Sequence, residues 1–224
     1  ASHLTPVTEK KCEKVALEGV DREKITLVSN GVDLDRVRTK KTINWQGQFK
    51  LEGRFVAVYT GLIGIAQGVA VVVAAADALR RSGNIHFLIV GDGVERDVLM
   101  KRAEELALEN VTFVPSQPRE AVPAILAAAD LVLVPLVSAD LVDAVPSKLM
   151  EAWGCRKPVV LIADGEPADL VKEAGGGVVI EAGDSEKLAQ KITDLSKKAT
   201  VLEQYGENGY GYVCKHFDRK DLAR

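Results

Sequence analysis

The chain has 224 residues, 47% of them hydrophobic and 27% charged, and a formal charge of -3, the make-up of an ordinary globular protein with room for a substantial core. Basic and acidic residues are interspersed, so no basic stripe exists to track a phosphate backbone, and nucleic acid is not an expected partner. The longest apolar runs, such as 69–76, fall far short of the ~18 to 20 residues of a membrane span, and Cys12, Cys155 and Cys214 are odd in number and lack C-x-x-C spacing, which argues against a disulfide framework or zinc site and for a reducing cytoplasm.

In chain order, an N-terminal helix precedes a strand-sized run, ITLV (25–28), and 39–54 lacks a clear period, reading as a loop or weak boundary. Five further apolar runs follow at FVAVYT (55–60), HFLIV (86–90), VTFV (111–114), LVLV (131–134) and PVVLI (158–162), and a last one at GVVI (177–180). Helical patterns at 67–81, 94–108, 119–128, 147–153, 167–173 and 185–196 alternate with them. Strands that are apolar throughout are expected where helices cover both faces of a parallel sheet. The fold class is α/β, a doubly wound Rossmann-like parallel sheet, with 1–224 as one domain. Asp184 is placed to cap the helix that follows it, and Gly83 and Gly154 to stop the helices before them.

Ligands of open parallel sheets bind at the strand-to-helix turns. These read TGLIGIAQG (60–68), VGDGVE (90–95), PSQPRE (115–120), PLVSADLVDAVPSK (135–148) and ADGEPAD (163–169). Glycines such as Gly61 and Gly91 let backbone approach a ligand closely, and helix N-termini suit an anion, so a phosphate-bearing ligand is implied. GDG after HFLIV starts a dinucleotide fingerprint and fails to complete it, because Arg96 stands at the third glycine position. No Walker A lysine motif and no Ser, His and acid cluster is present, and His86 reads as a packed or surface histidine. Pro146 and Ser147 favour a helix start. Glu151 lies four residues after Ser147, one too far for a capping box. It is thereby left to accept both hydroxyls of a ribose while Lys148 and the helix start hold phosphates. The same spacing equally allows a Lys148–Glu151 surface pair worth about 0.2 to 0.5 kcal/mol.

From residue 25 onward the chain resembles the C-terminal, donor-binding half of a group 1 retaining glycosyltransferase of the GT-B fold, of the bacterial surface-polysaccharide type. The resemblance is carried by SNGVDLDRV (29–37), YTGLIGIAQG (59–68), HFLIVGDGVERDVL (86–99), NVTFVPSQPREAVPAILAAADLVLVPL (110–136), VPSKLMEAWGCRKPVV (145–160) and EAGGGVVIEAGDSEKLAQKI (173–192). It implies transfer of a hexose or amino sugar from a nucleotide diphosphate, UDP by default, to a glycan or lipid-linked acceptor with retention, without metal or cofactor. The family's Glu-x7-Glu pair falls on Asp143 and Glu151, the first facing the sugar and the second the ribose. Its basic pair on the diphosphate falls on Leu62 and Gln67, so Lys148 and the helix N-terminus replace part of that charge, with Gln67, Ser147 and Lys148 as the substrate-binding candidates beside the diphosphate. The base belongs near Ser116 and Gln117, and Gly61, Gly91 and Leu149 complete the substrate-binding set. Residues 1–24 resemble the interdomain crossover, so an N-terminal acceptor domain is expected upstream, the 224 residues are expected to be inactive alone, and the whole enzyme is expected in the cytoplasm, at most peripheral to the inner membrane face. The competing readings are a sugar-nucleotide epimerase half and a non-catalytic nucleotide-binding or regulatory domain.

Overall fold

The computed structural model describes residues 2–38, 44–137 and 144–222. Among them six strands, β1 (Phe55–Thr60), β2 (Ile85–Val90), β3 (Val111–Val114), β4 (Leu131–Pro135), β5 (Val159–Ile162) and β6 (Gly177–Ile180), make one parallel sheet in the order β3-β2-β1-β4-β5-β6. The helices are α1 (Glu9–Leu17), α2 (Leu34–Arg38), α3 (Trp45–Gln48), α4 (Ala70–Ala78), α5 (Arg96–Glu105), α6 (Val122–Ala127), α7 (Ser147–Gly154), α8 (Glu166–Ala174), α9 (Ser185–Leu195), α10 (Ala199–His216) and α11 (Arg219–Leu222). None of the described helices is long and apolar enough to cross a membrane.

The strands are apolar throughout because each feeds two cores at once. Val56 and Val58 of β1, Leu88 and Val90 of β2, and Val132 and Val134 of β4 pack with α7, α8 and the tail of α10. The alternate residues Ala57, Tyr59, Phe87, Ile89, Leu131 and Leu133 pack with α4, α5 and α9 on the other face. A strand with side chains of period two and helices on both sides has no polar face to show. The start of β1 is pinned beside β4 by Asp130, whose carboxylate accepts from the Val56 N–H at 2.7 Å. His86 is a packed histidine: it is buried, lies 2.8 Å from the Thr112 hydroxyl and 3.3 Å from Arg54, and burial, with Arg54, pushes its pKa down to about 4.

Residues 25–28 do not join this sheet. Their backbone pairs instead with the N-terminal segment, Thr26 N–H to Leu4 carbonyl at 2.9 Å and Val28 N–H to Pro6 carbonyl at 3.0 Å, as an isolated parallel bridge at Leu4 and Ile25. Part of the segment expected to be loop, Trp45–Gln48, is helical, started by the Asn44 side chain on the Gly47 N–H. The expected cap at Asp184 is made, to the Lys187 N–H at 2.8 Å. Gly154, in contrast, is the last residue of α7 rather than a stop beyond it, and the left-handed turn falls on Arg156. Its missing side chain serves packing, since a Cβ there would sit 3.2 Å from Val37 of α2.

The longest described helix, α10, has no clear apolar signature and contains Gly206, Gly209 and Gly211. Glycine weakens helices by about 1 kcal/mol relative to alanine, and two of the three are needed for contact. A Cβ on Gly206 would lie 2.3 Å from the Arg156 carbonyl, and one on Gly209 2.2 Å from the Trp153 ring, whose indole N–H donates to the Gly176 carbonyl. Gly211 meets nothing within 4 Å. Gly209→Ala is therefore expected to destabilise the fold by about 1 to 3 kcal/mol through overpacking, while Gly211→Ala gains up to about 1 kcal/mol of helix propensity. Urea unfolding midpoints of the two variants give the opposite signs directly.

Candidate functional site

In this strand order the connections leave β1 and β4 in opposite directions, so a crevice opens between their carboxyl ends. Lys148, in the first turn of α7 after β4, crosses that switch point. Its ammonium donates to the Tyr59 hydroxyl of β1 at 2.9 Å, lies 4.3 Å from that ring's centre, and would be 3.3 Å from a Cβ on Gly61. An ammonium has donors only, so the Tyr59 oxygen accepts, and the phenol's own proton goes to the Leu62 carbonyl. Burial pushes the Lys148 pKa down to about 8, with Glu151 pulling the other way. A half-buried cation with two N–H donors beyond the one on Tyr59 gains from an anion seated beside it.

The two glycine turns form the floor. Gly61 N–H donates to the Val90 carbonyl at 2.9 Å and Gly91 N–H to the Val114 carbonyl at 3.0 Å, so neither amide is available to a phosphate. Gly91 is glycine because the turns touch: a Cβ on it would lie 1.8 Å from the Gly61 carbonyl oxygen. A Cβ on Gly93 would likewise lie 2.4 Å from the Ile63 carbonyl oxygen, so both glycines of GDG serve contact between adjacent turns. Leu62 is exposed, and Gln67, half-buried at the end of a short 3-10 turn, folds back over Gly64.

Helix α7 starts at Ser147 with Pro146 as the N-cap and no side chain on its first N–H groups. Ser147 is exposed and is not the cap that its position suggests. Leu149 is fully buried and its N–H donates to the Pro146 carbonyl at 3.1 Å, so its side chain belongs to the core and not to a ligand. Glu151 is not left unpaired. Its Oε1 accepts from Arg36 of α2 at 3.0 Å and lies 3.5 Å from Arg119, at the turn after β3. Lys148 has turned to Tyr59 and Glu151 to the arginines, so the surface pair between them is replaced as well.

Ser116 is exposed and Gln117 donates to the Pro115 carbonyl at 3.0 Å, ordinary turn chemistry that leaves backbone groups at the rim. Arg119 brings this turn against the Glu151 carboxylate. Asp143 lies outside the described residues. Among the described residues no group of three His, Cys, Asp or Glu side chains is placed to hold a metal. The arrangement can hold an anion at Lys148 and the open start of α7, and hydroxyls at Glu151. Tyr59, Arg36 and Arg119 were not singled out from sequence. Arg36 and Arg119 stand inside motifs, SNGVDLDRV and PSQPRE, that point to this region, but no spacing shows two arginines meeting one carboxylate.

The family model of the group 1 glycosyl transferases matches residues 41–212. The D-inositol 3-phosphate glycosyltransferase of Nocardia farcinica is 31% identical over 208 residues, covering 88% of this chain and 45% of that protein. The enzyme of the same name from Segniliparus rotundus is 28% identical over 200 residues, covering 86% and 44%. The chain thus spans about half the length of the curated relatives it matches. Among solved structures, Anabaena Alr3699/HepE in complex with UDP and glucose superposes with a TM-score of 0.86 at 21% identity, over 99% of this chain and 61% of that one. At that identity the likeness concerns the fold, a parallel sheet flanked by helices as in one half of the GT-B architecture.

Proposed function

The chain belongs to the group 1 glycosyl transferases, and on that premise we propose that it is a donor-binding domain, holding a UDP-sugar in the crevice between β1 and β4 for transfer with retention to a glycan or lipid-linked acceptor. The observation that carries this reading is Lys148, which reaches from the start of α7 across the switch point to Tyr59 and Gly61. It stands where a leaving diphosphate develops charge. In the family resemblance that charge meets a basic pair, here replaced by Leu62 and Gln67, and Lys148 with the first N–H groups of α7 is the compensation. Glu151 then takes the ribose hydroxyls, the backbone of 115–118 the base, and Asp143 the sugar. Stabilising the departing diphosphate is the main electrostatic task of such a site, because a preoriented cation out of bulk water acts more strongly there than in solution. The uncapped start of α7, with Ser147 at its rim, adds dipole and N–H donors to the same end. The acceptor's contacts are assigned to a second, N-terminal domain, with 1–24 as the crossover. The three free cysteines Cys12, Cys155 and Cys214 support a cytoplasmic setting.

Ligand-observed NMR with UDP, GDP and ADP tests the reading: saturable binding with UDP preferred supports it, and no saturable binding to any of the three returns the chain to a non-catalytic module. The Lys148 pKa of about 8 adds a pH signature. Below that value the ammonium is charged and meets the diphosphate. Above it the free protein loses the proton, so UDP affinity is expected to hold up to about pH 8 and then fall by up to about tenfold per pH unit, while uridine affinity stays flat. Lys148→Ala should lower UDP affinity at pH 7 more than uridine affinity and abolish the alkaline fall. Titrations at pH 7, 8 and 9 with both ligands measure this, and equal losses for both ligands would remove Lys148 from the diphosphate.

A further inference from the structure

We propose that Arg36 is the positioning residue for Glu151, holding one oxygen of its carboxylate so that the other is presented to the ribose; this rests on the donor-binding reading above. Both arginines approach the same atom. Arg36 Nη2 is 3.0 Å and Arg119 Nη2 3.5 Å from Oε1 of Glu151, so the pair leaves Oε2 for a ligand. The two are not equivalent. Arg119 is 56% exposed, at the rim of the turn after β3, whereas Arg36 is 22% exposed and Glu151 20%.

Arg36 is also delivered by a rigid mount. Its own N–H donates to Oδ1 of Asp33 at 3.1 Å, which fixes the start of α2. The segment before it is pinned to the C-terminal tail, Val32 N–H to the Phe217 carbonyl at 2.9 Å and Arg219 N–H to the Val32 carbonyl at 3.0 Å. Gly154, one turn beyond Glu151 on α7, lets Val37 approach the helix closely. The sequence of α7 thereby admits α2 at the distance that Arg36 needs.

A stability role explains this poorly. The Nε of Arg36 is buried without a hydrogen-bond partner among the described residues, and a partly buried ion pair of this kind is weak evidence of net stabilisation, since desolvation offsets its attraction. A glutamate on a helix surface is rotamer-rich and must lose that freedom to grip two hydroxyls. An arginine already holding one oxygen removes the loss before the ligand arrives, and the planar guanidinium fixes direction in a way that a lysine ammonium does not.

The test compares UDP with 2′,3′-dideoxy-UDP by calorimetry in wild type, Arg36→Ala, Arg36→Lys, Glu151→Gln and the Arg36→Ala/Glu151→Gln double variant, with thermal melts confirming that each is folded. Wild type is expected to prefer UDP by about tenfold or more, the worth of hydrogen bonds to a charged group. Arg36→Ala should shrink the preference to about threefold or less, Arg36→Lys should fall between, and the double variant should match Glu151→Gln, as expected of residues acting as one unit. If Arg36→Ala melts below the assay temperature, Arg36→Lys and Arg36→Gln carry the same comparison. A lower melting temperature with the full preference for the hydroxyls retained would overturn the positioning role while leaving the donor-binding reading standing. A wild type that binds UDP without preferring the hydroxyls would overturn the ribose role of Glu151 itself, and the inference with it.

Discussion

These 224 residues alone, incubated with UDP-sugars and a panel of free and lipid-linked acceptors, are expected to yield no glycoside and at most slow release of UDP. A GT-B transferase, in the family resemblance, works in the cleft between two Rossmann-like domains, and this chain spans 45% of the length of its relative from Nocardia farcinica. The roles proposed above for Lys148, Glu151 and the 115–118 turn are all donor roles, and none is proposed for an acceptor. Holding two reactants in register supplies about 7 to 11 kcal/mol of a barrier, so a domain that binds the donor alone loses about 10⁵-fold or more in transfer. Mass spectrometry of the products measures it. Robust glycoside formation by these residues would place the acceptor site within them and end the half-site reading.

Replacing Glu151 is expected to have the second largest effect. Hydrogen bonds to a charged group are worth about 1.5 to 3 kcal/mol, so Glu151→Ala should weaken UDP binding by roughly ten- to a hundredfold. The structure adds a consequence for folding, because the truncation leaves Arg36 and Arg119 facing each other without the carboxylate between them. Removing one partner of a fully buried ion pair costs about 3 to 5 kcal/mol; at 20% exposure for Glu151 the loss should be smaller yet visible in a urea melt. Glu151→Gln keeps the shape and separates the two effects. Calorimetry on both variants decides: an unchanged affinity would leave Glu151 as a structural partner of Arg36 and nothing more.

The sheet was legible because its strands are apolar on both faces, and β1, β3 and β6 begin and end where their runs do. Other elements were not, ITLV and α10 among them. ITLV has strand composition but its edge is met by residues 4–6 rather than by the sheet, a tertiary choice that period and propensity do not encode. Helix α10 was hidden by glycines that lower its propensity and exist for Trp153 and the Arg156 carbonyl, contacts made across more than forty residues. At the site, Lys148 and Glu151 stood out because charge on an apolar helix demands a reason. Their partners did not stand out, since Tyr59 and Arg36 reach them from 89 and 115 residues away. Leu149 belongs to the expected set through the resemblance alone, and helical geometry turns its side chain to the core. The bare backbone of Gly91 makes room for the Gly61 carbonyl of the neighbouring turn, whereas a Cβ on Gly61 would face the Lys148 ammonium at 3.3 Å.

The most direct test of the donor-binding claim is a crystal structure of the chain with UDP. The account predicts the diphosphate against Lys148 and the first N–H groups of α7, the ribose hydroxyls on Oε2 of Glu151 with Arg36 still holding Oε1, and the base against the backbone of 115–118. UDP bound away from the β1 and β4 carboxyl ends, or seated there without touching Lys148 and Glu151, would contradict it.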